Sequence, residues 1–159
     1  VLTLLPYYKY ENWISKFVHP FCSFNIAQTT DYTWKNRPGI EKYITGIVNK
    51  HDSKLYAIYA NPEHIHFLIS RSPKISEEDL ATIIAESSEK FINQNKLSIA
   101  KFAWQKSASA FSVSKSDVDK VCKYILNQAE HHRKVSFEEE YSSFIKYYRK
   151  TIKYRESKE

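Results

Sequence analysis

The stretch from Lys54 to Ser70, KLYAIYANPEHIHFLIS, decides the fold. Its two ends, KLYAIYA and HIHFLIS, are rich in the β-branched and aromatic residues that favour strands. Between them stands Asn61-Pro62, which is a turn signal. The stretch therefore predicts an antiparallel β-hairpin with a short connection.

Amphipathic helices flank this hairpin on both sides. Before it, Pro38-Gly39 opens a pattern in which apolar residues recur at helical spacing. After it, Ser76 and three acidic residues predict a second helix, because a serine cap and negative charge stabilise a helix N-terminus. The apolar residues that define the two helices are Ile40, Tyr43, Ile44 and Ile47 in the first, and Leu80, Ile83, Ile84, Phe91 and Ile92 in the second.

Further out, the sequence predicts two more strands and a last helix. Phe21 to Thr30 is interpreted as the first strand and Phe102 to Ser114 as the last, after which Ser114 or Ser116 caps the helix. The order strand, helix, strand, strand, helix, strand, helix is typical of a ferredoxin-like, RRM-like α+β fold. We therefore expect an antiparallel sheet with helices on one face and an open second face.

Composition fits one such domain. A chain of 159 residues that is 42% hydrophobic can bury one core, so we expect a single domain over residues 1–159. No apolar run approaches the roughly 20 residues that cross a bilayer, and the two cysteines show no disulfide spacing. We expect a cytoplasmic protein with no membrane partner. The net charge of +6 makes a polyanion a plausible partner without identifying it.

Two histidines, His64 and His66, share one side of the second hairpin strand, because side chains alternate across a strand. We expect that side to be exposed, with Ile65 and Phe67 facing the core. A pair of imidazoles in this arrangement can chelate a divalent ion. Two half-exposed surface histidines explain the same pattern, so the pair alone leaves both interpretations open.

Tyr124 and Gln128 form a second candidate group in the predicted last helix. Residues four apart lie one turn apart on the same helix face, so we expect these two side chains to lie together. A carboxamide oxygen can complete a metal site, and a phenol is a nucleophile that forms covalent intermediates. An ordinary polar helix face explains the two residues equally well.

Three segments carry a resemblance to a known family: NPEHIHFLISRSP, FAWQKSASAFSVSKSDVDKV and KYILNQAEHHRKVSFEEEY. In this order and spacing they resemble the hallmark segments of the single-tyrosine HUH transposases of small insertion sequences, which are relatives of the REP-associated tyrosine transposases. The resemblance covers the chain from about residue 20 to about residue 141. Residues 142–159 are then a C-terminal tail.

This resemblance implies a metal-dependent DNA transposase, an endonuclease and strand transferase of DNA recombination. It implies that His64, His66 and Gln128 hold one Mg2+ or Mn2+ ion. Tyr124 then cuts single-stranded DNA and is left in a 5′-phosphotyrosine intermediate. The family works as a homodimer, with active sites shared between subunits, on the hairpin ends of a mobile or repeated element.

Two alternatives remain beside this reading. A domesticated relative would bind single-stranded or hairpin DNA without turnover. A zinc-dependent hydrolase could use the same histidines, but it is disfavoured because no further His, Cys or carboxylate is spaced to complete its site.

Basic residues around the last helix are candidate phosphate contacts, although a solvated helix face explains them too. They are Lys115, Lys120, Lys123, Arg133 and Lys134.

Trp104 could stack on a base, but core packing is the preferred interpretation. His131 and His132 match a His-His pair of the family, for which we expect a structural role rather than metal ligation. Relatives carry glycines where this chain has Ser107 to Ala110, so the contact of that strand with DNA is in doubt.

Overall fold

The computed structural model describes residues 18–20, 34–61, 64–104, 110, 112–131, 133–136, 139–140, 142–143 and 146. The chain divides into two compact units, Val1–Leu126 and Asn127–Glu159, which we call the first and the second unit. The expectation of a single domain over the whole chain, with a tail from residue 142, stays a prediction.

In the first unit, the described strands form a three-stranded antiparallel sheet with the order β1-β3-β2. The strands are β1 (Val18–Pro20), β2 (Lys54–Ala60) and β3 (Ile65–Ser70). The helices are α1 (Arg37–Lys50), α2 (Glu77–Gln94) and α3 (Val118–Leu126), and short 3-10 turns at Trp34–Asn36 and Lys115–Asp117 precede α1 and α3. This architecture confirms the predicted α+β class.

The predicted hairpin is present, and β3 is the central strand of the sheet. The pairing of β2 with β3 shifts between Leu55 and Ala57, which makes Tyr56 an extra residue on β2. Both Tyr56 and Ala57 then contribute to the same cluster of packed side chains. This β-bulge lets the rest of β2 keep its pairing with β3.

One face of the sheet packs against α1 and α2. Ser76 caps α2 as predicted, since its Oγ accepts a hydrogen bond from the Asp79 backbone N–H at 3.0 Å. Trp104 is buried in the same core and donates from Nε1 to Ser88 Oγ at 2.9 Å, which agrees with the packing role expected for it. The buried residues of this core include Ile40, Ile44, Val48, Ile65, Phe67, Leu80, Ile84, Ile92 and Phe102.

The opposite face of the sheet, which we expected to be open, is covered in part by α3. Ile125 of α3 is fully buried and packs with Ala57, Tyr59 and Leu68 of the two hairpin strands. The physical reason is that α3 carries an apolar stripe, which is stabilised only when it leaves water. The helices therefore lie on both faces of the described sheet.

Two predicted strands fall wholly or partly outside the described residues. The first, Phe21 to Thr30, lies outside them, and β1 ends just before it. In the last, Trp104 and Val113 each form an isolated β-bridge, while residues 105–109 and 111 are not described. The strand end that lacks the family's glycines thus stays a sequence observation.

The second unit begins with a short helix, α4 (Gln128–His131), and is helical again at residues 139–140, 142–143 and 146. Ser136 starts this second helical part. Its Oγ accepts from the Glu139 N–H at 3.3 Å, and Glu139 Oε2 accepts from the Ser136 N–H at 2.9 Å. This reciprocal pair is a capping box, and it satisfies two backbone donors that a helix N-terminus leaves without partners.

Candidate functional site

The two histidines lie on the sheet face that α3 covers. His66 pairs with Tyr59 across the hairpin, and His64 directly precedes β3. Their ring centroids are 4.5 Å apart at an interplanar angle of 67°. The prediction that both point to the same face agrees with this geometry.

The predicted exposure of these histidines is wrong. His64 is 1% exposed and His66 is 0% exposed. The reason is that β3 is the central strand and that its second face is packed rather than open. Buried imidazoles need polar partners or a ligand, so two of them side by side argue against the interpretation as half-exposed surface histidines.

His64 is held by a neighbouring amide. Asn61 Nδ2 lies 2.9 Å from His64 Nε2, and both side chains are buried. Asn61 directly follows β2 and His64 directly precedes β3, so the two side chains meet at the same end of the hairpin strands. This hydrogen bond fixes the orientation of the His64 ring, and because an amide N–H can only donate, His64 Nε2 is the acceptor in it.

Tyr124 lies on the same side of the sheet as the histidines. It is half-buried and packs against the cluster that Ile125 forms with the two hairpin strands. Its ring centroid is 6.5 Å from that of His66. Cys122 of α3 is a second residue of a strongly nucleophilic type. Burial raises the pKa of the Cys122 thiol and the charge of Asp119 raises it further, so the thiol is held in its unreactive protonated form.

Tyr124 and Gln128 do not share one helix, contrary to the expectation. The structure ends α3 at Leu126, has a turn at Asn127 and begins α4 at Gln128. Asparagine favours turns because its side chain competes for backbone hydrogen bonds. The expectation that Gln128 follows Tyr124 by one turn of the same helix is therefore not supported.

Among the described residues of the second unit, Gln128 is the most buried polar side chain. It is 0% exposed, and its Nε2 donates to Glu140 Oε1 at 3.3 Å. Its Oε1 is also buried, and within the described part of the chain no hydrogen-bond donor reaches that oxygen. A carboxamide oxygen is a ligand that suits hard divalent cations.

Glu140 is a residue that the sequence did not single out. It is 4% exposed, and burial raises the pKa of its carboxyl group to about 7. His131 Nε2 lies 3.4 Å from Glu140 Oε1, which fits the structural role expected for His131, while His132 is outside the described residues. The motif S-x-x-E at Ser136 could have predicted the helix start, but no local pattern predicts the burial of Glu140.

The five basic candidates for DNA contact are all exposed. In the second unit, Arg133 and Lys134 pair with Glu130 at 2.8 and 3.1 Å. Exposure is required of a phosphate contact, and it is equally what a solvated helix face shows. The role of these residues stays a prediction.

Comparison with known proteins places the chain in a family. The model of a family described as "Transposase IS200 like" matches residues 25–128, which is more than half of the chain. None of the curated proteins compared with the sequence matches it. A crystal structure of a candidate transposase from Deinococcus radiodurans R1 is similar at a TM-score of 0.45 and 16% identity, over 71% of this chain and 89% of that chain.

The chain belongs to the IS200-like transposase family. Family membership rests on the family model, which spans the hairpin, the two histidines, Tyr124 and Gln128. It makes DNA the class of substrate and transposition the class of process. No helix among the described residues combines the length and the apolar character that a membrane crossing requires.

Proposed function

We propose that this transposase cuts and rejoins single-stranded DNA through a 5′-phosphotyrosine intermediate formed on Tyr124. The observation that carries the proposal is the grouping of Tyr124 with His64 and His66 on one sheet face. The ring centroid of Tyr124 lies 6.5 Å from that of His66, which lies 4.5 Å from that of His64. A nucleophile beside a pair of metal-binding imidazoles is the arrangement that nucleophilic attack on a phosphodiester requires.

We further propose that His64, His66 and Gln128 hold one Mg2+ or Mn2+ ion. The residues fit such an ion in two ways. The buried imidazoles of His64 and His66 are donor types that bind divalent cations. The Gln128 Oε1 atom is buried without a donor, which is costly for a polar atom unless a ligand compensates it.

When bound, a divalent ion would polarise the scissile phosphate and stabilise the negative charge of the transition state. The chain's own nucleophile does the bond-making. Tyr124 Oη attacks phosphorus and loses its proton, and the 3′ oxygen leaves with the bonding electrons and takes up a proton. Rejoining is the reverse reaction, in which a DNA 3′-hydroxyl attacks the phosphotyrosine and releases the Tyr124 phenol.

The DNA substrate of this proposal is a hairpin end of a mobile or repeated element, and the enzyme works as a homodimer with active sites shared between subunits. Both parts rest on the family resemblance of the sequence. The exposed cations Lys115, Lys120 and Lys123 of the first unit and Arg133 and Lys134 of the second are the proposed phosphate contacts.

The test uses end-labelled single-stranded hairpin DNA, the full chain and either Mg2+ or Mn2+. We expect a protein–DNA adduct that survives denaturant. The Tyr124→Phe variant should lose it by a factor on the order of 1,000 or more, because the nucleophile is gone, while it still binds DNA.

The matched control is Tyr56→Phe, which removes a hydroxyl from another tyrosine of the same packed cluster. It should form adduct at the wild-type level. An adduct that persists in Tyr124→Phe would disprove the nucleophile assignment. DNA binding with no adduct from the wild-type chain would favour the domesticated, DNA-binding alternative.

A further inference from the structure

The side-chain amide of Gln128 has two ends that differ in their surroundings. Its Nε2 donates to Glu140 Oε1, whereas its Oε1 has no donor within the described residues, although the whole side chain is buried. A buried amide usually satisfies both ends. The oxygen is therefore the end of the amide that a ligand could take up.

The orientation of this amide depends on its carboxylate neighbour. With Glu140 ionised, rotating the amide by half a turn would place two oxygen acceptors face to face at the 3.3 Å contact. The rotated amide would also present Nε2, a donor that cannot bind a cation. A carboxylate in contact with Nε2 therefore selects the one orientation in which Gln128 can be a metal ligand.

Glu140 is itself well placed to do this. The capping box of Ser136 and Glu139 fixes the start of its helical segment, and the Glu140 N–H donates to the Ser136 carbonyl oxygen at 3.0 Å. His131 Nε2 lies 3.4 Å from the same Oε1 atom that Gln128 contacts. Backbone and side chain of Glu140 are thus both held within the second unit.

We propose that Glu140 is a positioning residue that fixes the Gln128 carboxamide with its oxygen as the metal-binding atom. The proposal rests on the proposed function in one respect, which is that Gln128 is a ligand of the ion. It adds a residue to the site that acts through Gln128 alone. Residues that orient a metal ligand in this way typically contribute about 10-fold to 100-fold to metal affinity.

The test measures Mn2+ affinity by calorimetry in the Tyr124→Phe background, in which no adduct can form. Glu140→Ala should weaken Mn2+ binding by about 10-fold or more, because the amide loses the acceptor that orients it. Glu140→Gln should rescue binding to within about threefold, because it keeps an oxygen acceptor at the same place. The control is Glu130→Ala, which removes an exposed carboxylate of the same unit and should leave the affinity unchanged.

A double-mutant cycle separates positioning from other roles. In a Gln128→Ala background, Glu140→Ala should change Mn2+ affinity by less than about twofold, because the group that it orients is absent. An equal loss in both backgrounds would overturn the proposal, as would a Glu140→Gln variant as weak as Glu140→Ala. Thermal unfolding and circular dichroism confirm that each variant folds, and Glu140→Gln keeps the comparison decisive if Glu140→Ala does not.

The outcomes also separate this inference from the proposed function. A parent protein that binds no Mn2+, together with a wild-type chain that forms no adduct, would overturn both. Wild-type adduct formation and normal Mn2+ binding in every Glu140 variant would overturn only the positioning role.

Discussion

The two units of the chain hold their candidate ligands by different means. In the first unit, His66 lies in the central strand of the sheet and His64 directly precedes it, and apolar side chains pack on both faces of that strand. In the second, Gln128 is held by a carboxylate whose helical segment depends on a capping box. Packing distributes the cost of a substitution over many contacts, whereas a hydrogen-bonded arrangement depends on a few. The two kinds of ligand should therefore respond differently to mutation.

The largest expected effect tests the packed side of the comparison. Phe67 is 1% exposed on the face of β3 opposite His66, so Phe67→Ala should lower the free energy of unfolding by about 3–5 kcal/mol. Urea denaturation measures the change. Ile99→Ala is the control, since Ile99 is 95% exposed and should change stability by less than about 0.5 kcal/mol. Similar values for the two variants would show that the sheet core does not stabilise the strand.

An intermediate effect tests the hydrogen-bonded side. Ser136→Ala removes the acceptor for the Glu139 N–H and should cost about 1 kcal/mol of stability at neutral pH. Because this cost is local, it is best measured by amide hydrogen exchange of the second unit. The matched variant is Ser76→Ala at the N-terminus of α2, where the same loss of a serine cap is expected. A change in exchange throughout the first unit after Ser136→Ala would contradict the separation of the two units.

The smallest effect concerns pH. Hydrogen bonds from the backbone N–H and the hydroxyl of Ser136 hold the pKa of Glu139 below its usual value of 4.5. A carboxyl group whose pKa is lowered on folding stabilises the protein above its unfolded pKa, and that contribution disappears as the pH falls through the folded pKa. The difference in stability between wild type and Ser136→Ala should thus shrink below pH 4.5. A difference that stays constant to pH 3 would show that the Ser136 hydroxyl does not bond to the ionised Glu139 carboxylate.

Local patterns predicted the parts of the fold that local interactions determine. The bounds of β2 agree with the KLYAIYA segment, and Ser76 caps α2 as its sequence context indicates. Alternation along β3 placed His64 and His66 on a common face. Their burial could not be predicted in the same way, since it depends on how α3, far along the chain, packs on that face.

The same limit explains what was missed in the site. The helix break at Asn127 occurs without the glycine or proline that commonly marks a helix end. Glu140 stands twelve positions after Gln128 and contacts it only because the intervening residues turn back. The roles of Tyr124, Gln128 and the basic residues stay predictions that the adduct and metal-binding experiments test.

The β-bulge of β2 has a consequence for how such a chain can change in length. Leu55 and Ile58 pack on one side of the sheet, and Ala57 and Tyr59 on the other. A deletion of Tyr56 would leave these four residues in regular alternation, each on its present side. A deletion of Ala57 has the same effect, because Tyr56 then takes its place, whereas a deletion at Ile58 or beyond would turn the rest of the strand over. The bulge is therefore the place where β2 can lose a residue and still keep its apolar side chains on both faces of the sheet, including those that pack against α3.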